Sequence, residues 1–153
     1  MNQVVVKQEK SGYQIVEAYK SLRTNLQFCG EDKKVIAITS CTPNEGKSSV
    51  SMQLGISLAE IGKRVILIDA DLRKSVLLGR TKTEKSVRGL AHFLSGQASL
   101  EDVICATNIK NFYMIYSGPF PPNPAELLGG KNFRSLLNLS LIHISEPTRL
   151  QLI

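Results

Sequence analysis

The sequence predicts an α/β fold in which helices flank a parallel sheet. Two apolar runs, residues 35–38 (VIAI) and 65–68 (VILI), lack polar alternation, which is typical of strands covered on both faces. The segment between them has the apolar spacing of a helix, and two parallel strands joined by a helix form a right-handed βαβ unit. At 153 residues the chain has the length of one domain, and 42% apolar with 21% charged residues excludes disordered and collagen-like classes.

The helix of the βαβ unit is predicted over residues 47–61, and an earlier helix over residues 14–28. Apolar residues recur in both at the three- and four-residue steps of an amphipathic helix. They are Ile15, Tyr19, Leu22 and Leu26 in the first, and Val50, Leu54, Leu58 and Ile61 in the second. Gly62 then ends the helix, since glycine readily takes the left-handed conformation of a helix stop.

Shorter elements follow the second strand. Residues 87–94 are predicted to be helical. Ser99 and Asp102 have the spacing of a capping box, which begins another helix that runs to residue 104. The remaining predicted elements are a strand over 112–116, a proline-rich loop over 118–124, and helices over 125–128 and 131–137.

A phosphate-binding loop is predicted between the first strand and its helix, where residues 41–48 read CTPNEGKS. The Gly-Lys-Ser ending in a strand–loop–helix context is that of a P-loop. Its backbone N–H groups cradle phosphate oxygens, while Lys47 supplies a point charge and the Ser48 hydroxyl can bind Mg²⁺. Cys41 occupies the motif's first glycine position, and as a small residue it lets the loop close. The predicted fold class is therefore a P-loop NTPase-type parallel sheet flanked by helices, incomplete in this chain.

Two carboxylates, Asp69 and Asp71, directly follow the second strand. Open α/β sheets bind their ligands at the carboxyl ends of the strands, so both acids are expected beside the loop. Such a pair suits coordination of metal-bound water and proton abstraction from an attacking hydroxyl, although an isolated Asp-x-Asp is most often a polar turn.

Composition indicates the cellular compartment but does not identify the class of ligand. A net charge of +6 suits nucleic acid, acidic lipid or a phosphorylated ligand alike. Three widely spaced cysteines argue against a disulfide framework or a zinc site. No apolar run reaches the roughly 18 residues that span a bilayer, and no secretory segment begins the chain. We expect a cytoplasmic protein.

Four ordered motifs resemble those of the bacterial tyrosine kinases (BY-kinases) of capsule and exopolysaccharide synthesis. Besides the P-loop they are EAYKSLRTNLQF at 17–28, ILIDADLRK at 66–74 and GPFPPNPAELL at 118–128. The resemblance covers about residues 14–137. It implies a protein-tyrosine kinase that transfers the ATP γ-phosphate to tyrosines, uses Mg²⁺, and regulates polysaccharide synthesis and export.

The resemblance also implies roles for individual residues. Lys47, Asp69 and Asp71 are catalytic, and Ser48, Asp69 and Asp71 form the metal site. The sequence does not divide the metal-water and base roles between the two aspartates. The implied nucleotide-binding residues are Thr42, Pro43, Asn44, Glu45, Gly46, Lys47, Ser48, Ser49 and Arg73.

The resemblance implies two protein partners and no nucleic acid. One is a membrane adaptor, the polysaccharide co-polymerase, which holds the kinase at the inner face of the cell membrane. The other is a second copy of the chain, bound through the helix that carries Glu17, Lys20 and Arg23.

The chain departs from the family at several positions. Lys20 replaces an arginine, Ser75 stands where proline is usual, and neither a Walker B motif nor a tyrosine cluster is found. The nearest alternative is a switch without kinase activity, like the partitioning and cell-division-site ATPases. Those proteins carry a second lysine where this chain has Thr42, and paired glycines in place of Pro43 and Asn44. A third alternative is a non-catalytic regulator of polysaccharide export.

The last fifteen residues, 139–153, are predicted to be non-native. Residues 140–149 read SLIHISEPTR, the translation of a transposase-type sequencing-library adapter; a native amphipathic strand is the alternative. Residues 1–138 are then the N-terminal part of a P-loop tyrosine kinase domain. We expect the chain as written to bind nucleotide poorly and not to autophosphorylate.

Overall fold

The computed structural model describes residues 1–8, 10–30, 32–42, 44–73, 75–83, 86–143 and 149–152. The strands are β1 (Asn2–Val6), β2 (Val35–Ile36), β3 (Arg64–Ile68), β4 (Thr81–Thr83), β5 (Cys105–Thr107), β6 (Phe112–Ile115) and β7 (Arg149–Leu152). The helices are α1 (Tyr13–Phe28), α2 (Lys47–Glu60), α3 (Leu90–Leu94), α4 (Leu100–Val103), α5 (Pro124–Gly129) and α6 (Lys131–His143). A 3₁₀ turn, Leu78–Arg80, precedes β4.

The described strands form one sheet with the order β2-β7-β3-β6-β5-β1-β4. The β2–β7, β7–β3, β3–β6 and β1–β5 pairs are parallel, which confirms the predicted α/β class. The β5–β6 and β1–β4 pairs are antiparallel, so the sheet is mixed and not wholly parallel. Sequence patterning missed β1, β4 and β5; two of these have only three residues each, too few to show a period.

Strand β3 lies inside the sheet and is covered on both faces. Val65 and Leu67 belong to one apolar cluster, which includes Leu58 of α2. Ile66 and Ile68 belong to a second cluster, which includes residues of α3, α4 and α6. All four strand residues are at most 1% exposed, and this two-sided burial is why the run shows no polar alternation.

Two strands end earlier and one helix begins later in the structure than the sequence predicted. The first predicted strand ends at Ile36, and the third at Ile115. The helix predicted from residue 87 begins only at Leu90. Before it, Gly89 packs so closely on Gly118 that an added Cβ would lie 2.3 Å from the Gly118 nitrogen. This contact, together with the extended backbone of Gly89, delays the start of the helix.

Helix α6 and strand β7 include part of residues 139–153. β7 pairs with β2 on one side and with β3 on the other. Residues 144–148 and 153 lie outside the described part of the chain. The adapter origin of this segment stays a prediction.

Candidate functional site

The loop between β2 and α2 ends in a left-handed residue, Gly46, with φ of 82°. Asn44 also has a positive φ, 64°. Glycine takes this conformation without the strain that a Cβ adds. The α2 helix begins at the next residue, Lys47, and the Val50 N–H donates to the Gly46 carbonyl over 2.9 Å. The backbone N–H groups of Lys47, Ser48 and Ser49, which precede Val50 in this first turn, have no acceptor within the helix, so they suit an anion.

Two cavities meet at this loop. One, of about 530 Å³, is lined by Ser40, Cys41, Thr42, Asn44, Glu45, Gly46, Lys47, Ser48, Asp71, Val76 and Arg80. The other, of about 320 Å³, is lined by residues that follow β2, by the end of β3 and the segment after it, and by the start of α2. Lys47, Ser48 and Asp71 line both cavities. The structure therefore brings together the loop and the acidic turn that the sequence singled out.

Lys47 and Asp71 face each other across this site. The Lys47 Nζ lies 4.0 Å from the Asp71 Oδ2, and their side chains are 36% and 40% exposed. A pair this long and this solvated contributes little to stability. Both side chains therefore stay accessible to a ligand that enters either cavity.

Asp69 is held in a different way, because its side chain is almost buried at 7% exposure. Its Oδ1 accepts the Asp71 N–H over 3.1 Å, and its Oδ2 accepts the Ser75 hydroxyl. Its own N–H donates to the Ile115 carbonyl over 2.8 Å. Burial raises the pKa of Asp69, and the bonds from Ser75 and Asp71 oppose that rise.

Glu45 takes a position inside the loop. Its Oε2 accepts the Thr42 N–H over 3.4 Å. Hydrogen bonds from Thr42 lower the pKa of Glu45, so its carboxylate is ionised at neutral pH. One N–H of the loop thus has an anionic acceptor in the chain itself.

Two described residues of the predicted nucleotide site are not part of this arrangement, and a third predicted residue is not described. Ser49 and Arg73 do not line either described cavity, and Arg73 is exposed. Pro43 lies outside the described residues. Conversely, sequence reasoning missed Val76 and Arg80, which line the larger cavity from a segment after the acidic turn that carries no motif.

The predicted magnesium site would have few protein ligands. Among the described residues no group of three or more His, Cys, Asp or Glu side chains is placed to hold a metal. The predicted donors are the Ser48 hydroxyl, Asp71 and the nearly buried Asp69. This set fits Mg²⁺, which usually keeps several waters and binds through one or two carboxylates together with substrate phosphates.

The residues predicted to mediate self-association lie on α1. Glu17 and Lys20 form an ion pair of 2.9 Å on the exposed side of the helix. Arg23 instead donates to the carbonyl and to the hydroxyl of Ser57, over 2.8 and 3.1 Å. Arg23 therefore fastens α1 to α2 within the chain.

Residues 33–146 match a family model described as an AAA domain. The chain is 44% identical over 121 residues to the tyrosine-protein kinase CpsD of Streptococcus agalactiae, a stretch that covers 79% of this chain and 53% of that protein. The chain thus spans about half the length of the curated relatives it matches.

The structure also resembles solved structures, including that of a bacterial tyrosine kinase. The kinase domain of the Escherichia coli tyrosine kinase ETK aligns with a TM-score of 0.79 at 35% identity, over 90% of this chain and 52% of that one. The septum site-determining protein MinD of Pyrococcus horikoshii, complexed with Mg-ADP, aligns with a TM-score of 0.60 at 25% identity, over 79% and 48%. The P-loop fold class and the resemblance to bacterial tyrosine kinases are thereby confirmed.

Proposed function

Because the chain belongs to the AAA domain family, we propose that it forms the nucleotide-binding part of an ATP-dependent protein-tyrosine kinase of capsule and exopolysaccharide synthesis. The observation that carries this proposal is that Lys47 and Asp71 line one cavity, although they come from separate segments of the chain. The identity to CpsD supports tyrosine as the phosphate acceptor.

The loop and the start of α2 hold the phosphates of ATP in this proposal. Thr42, Asn44 and Gly46 line the cavity with backbone that can donate to phosphate oxygens. Lys47 places its charge on the β- and γ-phosphates, and the Ser48 hydroxyl offers an oxygen ligand for Mg²⁺. Mg²⁺, when bound, offsets the charge that develops on the phosphates during transfer.

The two aspartates take different roles. Asp71 is 40% exposed and lines both cavities, so it is placed to take the proton of a tyrosine hydroxyl. The tyrosine oxygen then bonds to the γ-phosphorus, and the bond from that phosphorus to the bridging oxygen of ADP breaks. Asp69, with both carboxylate oxygens bonded inside the chain, holds the turn. When Mg²⁺ is bound, Asp69 would orient a water of its coordination shell.

A switch ATPase is the second candidate, and the likeness to MinD favours it. The two candidates differ in where the γ-phosphate goes. Incubation of the full-length gene product with γ-labelled ATP and Mg²⁺ separates them by comparing labelled phosphotyrosine with released phosphate. The kinase predicts labelled tyrosine that Lys47→Ala abolishes, whereas release of phosphate without labelled tyrosine overturns it in favour of the switch.

Attachment to a membrane adaptor and self-association through α1 are part of the same proposal. No described helix is long and apolar enough to cross a bilayer. The exposed apolar side chains of α1 support a protein partner for this helix; they are Tyr13, Ile15, Val16, Leu22 and Phe28. Light scattering of the full-length gene product tests self-association. A concentration-independent monomer, at concentrations where ATP is turned over, contradicts it.

A further inference from the structure

The larger cavity contains a second cation that no motif predicts. Arg80 ends the 3₁₀ turn and lines the same cavity as the loop and Asp71. Its side chain is exposed. The sequence gives no signal for this position, because the turn becomes part of the cavity only through the fold.

The backbone that carries Arg80 is firmly held. Its N–H donates to the carbonyl of the buried Leu77 over 3.0 Å, and its carbonyl accepts the Lys7 N–H over 3.3 Å. The next residue, Thr81, is buried, and its hydroxyl lies 2.6 Å from the hydroxyl of Tyr116. The guanidinium, by contrast, makes no hydrogen bond or ion pair with a described residue.

The charge of the cavity lining changes from negative to neutral when Arg80 is counted. Among the described residues, the charged side chains of the lining are Lys47, Arg80, Glu45 and Asp71. Without Arg80 these described residues would supply one cation against two acids, which disfavours an anionic ligand. With Arg80 the charges balance, and the planar guanidinium can bind two phosphate oxygens at once.

We propose that Arg80 binds the polyphosphate chain of the nucleotide, as a second cation beside Lys47 and from a separate segment. This inference rests on the proposed function, since it requires that the cavity bind a nucleotide. Loss of one charge-assisted contact of this kind weakens binding by about tenfold or more.

The test is nucleotide affinity, measured by titration calorimetry on the full-length gene product with ATP and with ADP in the presence of Mg²⁺. Arg80→Gln is expected to raise the Kd for ATP about tenfold, and Arg80→Lys to raise it less because the charge remains. Lys82→Ala is the matched control: Lys82 is an exposed cation two residues away that does not line the described cavities, so its Kd stays near that of the wild type.

The measurement separates failure of this inference from failure of the proposed function. If Arg80→Gln binds ATP like the wild type while Lys47→Ala does not bind it, Arg80 has no part in the site and the proposed function stands. If the wild type itself binds no nucleotide, the proposed function fails, and this inference fails with it. An equal loss in Arg80→Gln and Lys82→Ala also overturns the inference, because it shows a general effect of surface charge.

Discussion

The two segments that form the candidate site are held in different ways. In the loop of residues 40–48 the Thr42 N–H reaches Glu45 over a long 3.4 Å bond, and most of the segment is exposed. In the turn after β3, Asp69 is 7% exposed and accepts bonds from both Ser75 and the backbone. The fold therefore holds the acidic turn through buried contacts, whereas the loop has few such contacts, and we expect a bound phosphate to order it.

The Asp71→Asn substitution, in the turn after β3, has the largest expected effect on the rate of phosphotyrosine formation. Asparagine keeps the shape of the side chain but cannot take the tyrosine proton, so phosphotyrosine formation falls by about 10²–10⁴-fold. Single-turnover transfer from γ-labelled ATP measures the rate. Asp32→Asn is the control, because Asp32 is an exposed acid that pairs with Lys33 in a polar turn and does not line either described cavity. Equal rates for wild type and Asp71→Asn remove Asp71 from the base role.

Ser75→Ala and Ser40→Ala compare the two segments by the same chemical change. Removal of the Ser75 hydroxyl takes away the donor to Oδ2 of the nearly buried Asp69, while Oδ1 keeps the Asp71 N–H, so the free energy of unfolding falls by about 1–2 kcal/mol. The Ser40 hydroxyl donates to the exposed Thr42 carbonyl, which water can satisfy, so the effect there is under about 0.5 kcal/mol. Urea unfolding of the full-length gene product measures both. Equal losses would mean that the turn is no better anchored than the loop.

The pH dependence of stability has opposite signs in the two segments. Burial raises the pKa of Asp69 above 3.8, so the folded state holds this proton more tightly than the unfolded state. Its contribution to the free energy of unfolding is therefore lost as pH rises from about 3.8 through the raised value. The pKa of Glu45 is lowered, so its contribution grows as pH rises.

Asp69→Asn should therefore gain stability relative to the wild type between about pH 4 and pH 7 in magnesium-free buffer. Urea unfolding at the two pH values provides the measurement. A variant that becomes relatively less stable over this interval contradicts the raised pKa.

Glu45→Gln has the smallest expected effect. The substitution removes an anion that competes with phosphate for the Thr42 N–H, so ATP binds roughly twofold more tightly, a size typical of exposed charges. Titration with ATP measures the change, and raised salt should reduce it. Weaker binding in this variant would show that the carboxylate assists the nucleotide instead.

The sequence predicted those parts of the molecule whose cause is local. The buried run at 65–68 and the helix stop at Gly62, which takes a φ of 85°, are both found. The capping box of Ser99 and Asp102 is found as well, with the Asp102 N–H donating to the Ser99 hydroxyl. Each of these depends on residues that are neighbours in the chain.

The meeting of the loop and the acidic turn was predicted, because both carry motifs at the carboxyl ends of strands, but features that depend on distant contacts without a motif were not. Arg80 enters the site only because Leu77 and Thr81 are buried on either side of it. Asp69 and Asp71 are alike in sequence, yet burial and the Ser75 hydroxyl make them different. Local sequence contains no record of such contacts, so it named the aspartates and left their roles undivided.

Lys47 and Asp71 are proposed to belong to one site that transfers phosphate to tyrosine. The most direct measurement is labelled phosphotyrosine formed from γ-labelled ATP and Mg²⁺ by the full-length gene product, its Lys47→Ala variant and its Asp71→Asn variant. We expect label in the wild type and almost none in either variant, with unfolding transitions close to that of the wild type. Phosphotyrosine that persists in Asp71→Asn would exclude Asp71 from the reaction, and a wild type that hydrolyses ATP without labelling tyrosine would exclude the kinase.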